Sequence, residues 1–70
     1  MAQRGIDIAW IARAIETPAR TENDEVDPSL AHALLPIPER GFRVLRVIYN
    51  ETVDPLVVVT VYFDEKVNNL

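Results

Sequence analysis

The apolar positions of the N-terminal segment recur at helical spacing. Ile8, Ile11, Ala12 and Ile15 fall on one stripe, widened by Trp10 and Ala14, with Arg13 and Glu16 on the wet side. The spacing predicts a helix from about Asp7 to Thr17. Asp7 is a good N-cap, because its carboxylate accepts from free backbone N–H groups at the positive helix end. Ile6 and Ile11 have the separation of a hydrophobic staple. Pro18 stops the helix, since the residue before a proline avoids the α region, and Gly5 allows a tight entry turn.

Residues 19–28 are polar and acidic and read as a loop that could extend near Arg20–Glu22. Over 29–37, Leu30, His32 and Leu34 alternate with Ala31, Ala33 and Leu35. Ser29 as a cap and the Ala/Leu content slightly favour a short helix there, which Pro36 and Pro38 would end. If the segment is instead a strand, its proline marks an edge. Pro38–Gly41 is a turn. The strongest strand signals follow, in FRVLRVIYN and LVVVTVYFD, joined by the polar NETVDP. So short a connection demands antiparallel pairing. A β-hairpin is therefore expected from Phe42 to Phe63, with a frayed tail after about Asp64.

Alternation along the strands divides the hairpin into two faces. With Tyr49 opposite Leu56, one face holds Phe42, Val44, Arg46, Ile48, Val57, Val59, Val61 and Phe63, and is expected to receive the helix. The other holds Arg43, Leu45, Val47, Tyr49, Val58, Thr60 and Tyr62. Its tyrosine and arginine content makes it a candidate interface, although strand propensity alone also favours Val, Tyr and Thr. A slip of one residue would exchange the faces of one strand.

Composition narrows what such a chain can be. Seventy residues make one small α+β domain, spanning 1–70. A domain of this size buries only roughly 60% of its unfolded surface, and its core supplies about 3–5 kcal/mol. With no cysteine and one histidine, disulfides, thiolate sites and a transition-metal site are excluded. No cofactor or metal is expected. Self-association or a small protein partner is the remaining source of support, so a homodimer is expected. No apolar run approaches the roughly 18–20 residues of a membrane span, and the N-terminus has no signal-peptide core. A cytoplasmic location without a membrane partner follows by default.

The net charge of −4 argues against broad electrostatic capture of nucleic acid. The distribution is uneven, however. Glu22, Asp24, Glu25 and Asp27 form an acidic block, and Arg40, Arg43 and Arg46 lie close together. No phosphate-cradling glycine loop, metal-ligand spacing or nucleophile motif occurs. One constellation has suitable residue types for metal-independent RNA cleavage: His32, Arg43, Arg46, Tyr49 and Tyr62, with Arg40 nearby. Such chemistry needs a general acid and base, with cations for the charged transition state. The plainer reading is a structural histidine and surface arginines.

Arg4-Gly5-Ile6, Glu16-Thr17-Pro18, Pro38-Glu39-Arg40, Arg43–Asn50 and Val58–Asp64 together give a resemblance across nearly the whole chain. In these stretches it resembles the bacterial domain-of-unknown-function family 4258. The resemblance implies a β-α-β-β-β layout, which makes Leu30–Ile37 a strand. The usual first strand, with its histidine- and arginine-containing segment, has no counterpart before Arg4. The expected fold is then α-β-β-β, one helix on a three-stranded antiparallel sheet with an open edge. The layout is similar to RelE-like and BrnT-like ribonuclease toxins. That similarity implies an antitoxin-like partner or RNA for a chain acting through protein association, the alternative being a non-enzymatic homodimeric module.

Overall fold

In the computed structural model, residues 5–67 are described. Helix α1 spans Ile8–Glu16. The strands are β1 (Arg20–Asn23), β2 (Leu30–Ile37), β3 (Arg43–Asn50) and β4 (Val57–Phe63). They form one antiparallel sheet in the order β1-β2-β3-β4. The class is α+β, as the sequence indicates, but the sheet has four strands where three were expected.

The added strand is β1, in the segment read as a loop that could extend near Arg20–Glu22, and the structure extends it over Arg20–Asn23. Its residues Arg-Thr-Glu-Asn have little strand propensity of their own. Pairing with β2, from Arg20 opposite Leu34 to Asn23 opposite Ala31, holds them extended. The segment 30–37 is a strand, as the family resemblance implies and against its helix propensity. Leu34 and Ala33 are completely buried on its two faces, a burial that long-range pairing achieves and a short helix would not. Pro36 lies beyond the end of β1, where β2 has only β3 beside it, so its missing N–H costs no ladder bond on the open side.

The start of α1 follows the sequence closely. Asp7 Oδ1 accepts from Ala9 N at 2.8 Å, and Thr17 closes the helix with its N–H donating to Arg13 O at 2.9 Å. Ile6 and Ile11 both reach the core, completing the staple. The stripe itself is rotated from the expected one. Trp10, Ile11, Ala14 and Ile15 pack inward, whereas Ile8 is exposed and so is Ala12.

The hairpin register also corrects the expectation. Leu45 pairs with Phe63, Arg46 with Tyr62 and Ile48 with Thr60, and a bulge then sets Tyr49 opposite Val58 rather than Leu56. The bulge places an extra residue on β4, and Leu56 belongs to the connection. Phe42 lies outside the strand, in the left-handed region at φ 62°, directly after Gly41 at φ 68°. Helix α1 rests on β2 and β3, and the face it covers holds Ala33, Ile37, Leu45, Val47 and Val61. Of the expected core face, Val44, Arg46 and Ile48 of β3 lie instead on the face away from the helix, whereas Val61 and Phe63 of β4 do pack on the helix side. Arg46 explains the choice. Under the helix its charge would be desolvated without a partner, whereas on the far face carboxylates reach it.

Beyond β4, Asp64 N donates to Val44 O at 2.8 Å and Val67 N to Asp64 O at 3.4 Å. Residues 68–70 of the expected tail lie outside the described residues.

Candidate functional site

On the face away from α1, the register lines side chains up in rows. Arg20, Leu34, Arg46 and Tyr62 are successive cross-strand partners, and Glu22, His32, Ile48 and Thr60 form the next row. No described helix covers this face, yet Leu34 is fully buried. Its row neighbours Arg20 and Arg46 have long apolar stems that shield such a side chain while their heads reach polar partners.

Arg46, only 9% exposed, is the centre of the polar network. Its Nε donates to Asp64 Oδ2 at 2.8 Å. Its Nη1 donates to Glu22 Oε1 at 3.2 Å and to His32 Nδ1 at 2.7 Å. On its other side, His32 Nε2 lies 2.8 Å from Asp24 Oδ1. Arginine can only donate, so Nδ1 must be the acceptor and the imidazole proton must sit on Nε2, donated to Asp24. This arrangement requires a neutral ring. Glu22 is shared with Arg20, at 2.8 Å.

The charges respond to these contacts. Burial opposes the charge on Arg46, but the hydrogen bonds it donates to Asp64 and Glu22 outweigh it, and its pKa stands above the ordinary arginine value. The Glu22 carboxyl is held below its usual value chiefly by Arg46. Asp24 is lowered mainly by the backbone N–H of Asp27 and then by His32. Asp64 is lowered first by the backbone N–H of Lys66, with Arg46 adding to it.

An open cleft of about 340 Å³ adjoins this network, walled in part by Glu22, Asp24, Glu25, His32 and Arg46. Three of those groups are carboxylates, so the mouth presents a negative field that repels phosphate. Both ring nitrogens of His32 are engaged, leaving neither to exchange a proton with a substrate. As arranged, the cluster is a clamp. Through Glu22, His32 and Asp64, one guanidinium ties β3 to β1, to β2 and to the end of β4.

The remaining sequence candidates are dispersed. Tyr62 shares Arg46's row. Tyr49 packs against the core under α1. Arg43 pairs with Glu65 and lies over the Phe63 ring, 4.5 Å from its centroid. Arg40 sits against Trp10 and Phe63, at 5.9 and 5.8 Å. Of the candidate interface residues, Leu45 and Val47 are fully buried and belong to the core, because the register turns them toward the helix. Tyr49 and Thr60 are half-buried, and Arg43, Val58 and Tyr62 are exposed.

Among the described residues, a continuous run of exposed apolar side chains lies along β4, one of the two outer strands of the sheet, apart from isolated residues such as Ile8, Val26 and Phe42. Val57 and Val59 are each 55% exposed, with Leu56, Val58 and Tyr62 also open to solvent. From Leu56 to Phe63 no residue is charged. The opposite edge, β1, is short and carries Arg20 and Glu22, features that discourage pairing.

The model of a family described as a domain of unknown function, DUF4258, matches residues 1–63. The chain belongs to that family. No curated protein and no solved structure matches it. Within this DUF4258 domain, no described helix is long and apolar enough to cross a membrane. Sequence reading missed Glu22, Asp24 and Asp64 as partners of the His32–Arg46 pair. The available signal was a histidine and an arginine each embedded in an otherwise apolar strand, which demands polar partners from neighbouring strands.

Proposed function

We propose that this DUF4258 domain works through protein–protein association along the β4 edge rather than through catalysis. One observation carries the reading: an uncharged strand, Val57–Phe63, exposed at Val57, Val58, Val59 and Tyr62 and lying at an outer edge of the sheet among the described residues. An open edge presents backbone N–H and C=O groups that another strand can pair with. Natural edges are commonly blunted by charge, proline or a bulge; β4 carries neither charge nor proline, and its bulge at Val59 leaves 60–63 in regular register. The engagement of His32 and Arg46 within the fold argues against the ribonuclease-toxin reading, as does the acidic cleft beside them.

The test is amide exchange and chemical-shift mapping with an uncharged extended peptide copied from residues 56–63. Support is either outcome that finds a partner on the open side of the strand: the β4 amides that do not bond to β3 already protected in the purified protein, or those amides shifted by the peptide. If these outward-facing amides are unprotected and unresponsive, the reading is overturned.

A further inference from the structure

We infer that the occupant of the β4 edge is a second copy of this chain, paired antiparallel about a two-fold axis near Thr60. This rests on the association reading above and names its partner.

Charge placement favours self-pairing. Two copies of Val57–Phe63 bring no like charges together, because the strand has none. The acidic block lies at the other side of the sheet, and of the acids that flank β4, Asp64 and Glu65 are already paired with Arg46 and Arg43. Glu22 is on β1, with Asp24, Glu25 and Asp27 in the connection that follows, and β2 and β3 stand between them and β4. Three strand spacings put them about 14 Å away, beyond a Debye length of about 8 Å at physiological salt. Repulsion from that block is therefore screened at this edge.

The strand is also self-complementary in shape. Full antiparallel overlap centres Thr60 on the axis, sets Val57 against Phe63 and Val58 against Tyr62, and so pairs β-branched with aromatic residues. Assembly stops at two copies. Each β4 is consumed by the other, and β1 is short and charged.

The cysteine-free chain provides a direct test. Sedimentation equilibrium of the full chain is run beside Val59→Lys, whose exposed position tolerates the change without unfolding, as checked by circular dichroism. Thr60→Cys and, as a control on the far side, Glu25→Cys are oxidised under non-denaturing conditions. The expected result is a dimer weakened about tenfold or more by Val59→Lys, with covalent dimer from Thr60→Cys and not from Glu25→Cys. A dimer unaffected by Val59→Lys, or cross-linked through Glu25→Cys, overturns the proposal. A strict monomer also overturns it. The association reading then survives if the 56–63 peptide still shifts β4, and falls if it does not.

Discussion

Arg46 Nη1 stands 2.7 Å from His32 Nδ1, and that single contact decides where the imidazole keeps its proton. A donor on Nδ1 leaves Nε2 as the protonated nitrogen, facing Asp24 at 2.8 Å. Long-range proton–nitrogen correlation spectra of the folded protein should show the Nε2–H tautomer. An Nδ1–H tautomer would mean that Arg46 does not reach the ring.

Removing the guanidinium should cost far more than removing a surface charge. Arg46→Ala strips partners from Glu22, His32 and Asp64 together and should destabilise the fold by about 2–4 kcal/mol. Arg46→Lys should recover only part of that, because an ammonium cannot reproduce the planar fork. Urea denaturation midpoints of the three proteins give the comparison.

Acid should loosen the same network. Glu22, Asp24 and Asp64 all have folded-state pKa values below their ordinary ones. As pH falls, the unfolded chain takes up protons first, which favours unfolding. The stability these groups contribute is complete above the ordinary carboxylate range, about 4, and is lost as pH falls through their lower folded values. Denaturation midpoints measured against pH should therefore decline on that limb. In Arg46→Ala the decline should be shallower, because Glu22 has lost the main cause of its shift.

Two apolar substitutions separate the observed core from the one that alternation suggests. Leu45 is fully buried while Ile8 is 69% exposed. Leu45→Ala should cost about 2–5 kcal/mol, enough to unfold much of a domain this small. Ile8→Ala should stay within about 0.5 kcal/mol. Thermal melts of both variants decide the matter.

Phe42 holds a left-handed conformation, φ 62°, that a bulky side chain seldom adopts. Its N–H donates to Ile37 O at 2.9 Å, so the turn geometry is fixed from both sides. Phe42→Asn, a residue that tolerates this region, should raise stability by about 0.5–1 kcal/mol. A loss of stability would show that the exposed ring contributes packing.

The elements differ in how much of their structure local sequence encodes. The cap and staple of α1 depend on residues within one turn of one another, and they were legible. So were the two hairpin strands, rich in β-branched and aromatic residues. The strand Arg20–Asn23 was not, because its conformation comes from β2 and not from its own side chains. The faces were misassigned for a related reason. A bulge at Tyr49/Val58 leaves no mark in an alternating run of valines, where either parity looks equally apolar. The polar network escaped notice because its members come from different strands, and only the register brings Glu22, His32 and Arg46 onto adjacent rows.

Each strand of the sheet pairs with its immediate neighbours in the chain, across connections at 24–29, 38–42 and 51–56. Every ladder therefore closes a short loop, and none has to wait for a distant segment to arrive. Loop-closure entropy is spent in small steps, and chains dominated by such local contacts fold faster than β proteins of crossed topology. The interior pair β2–β3 can form first and be joined by β1 or β4 in either order. Loss of an outer strand would then leave a nucleus that still zips.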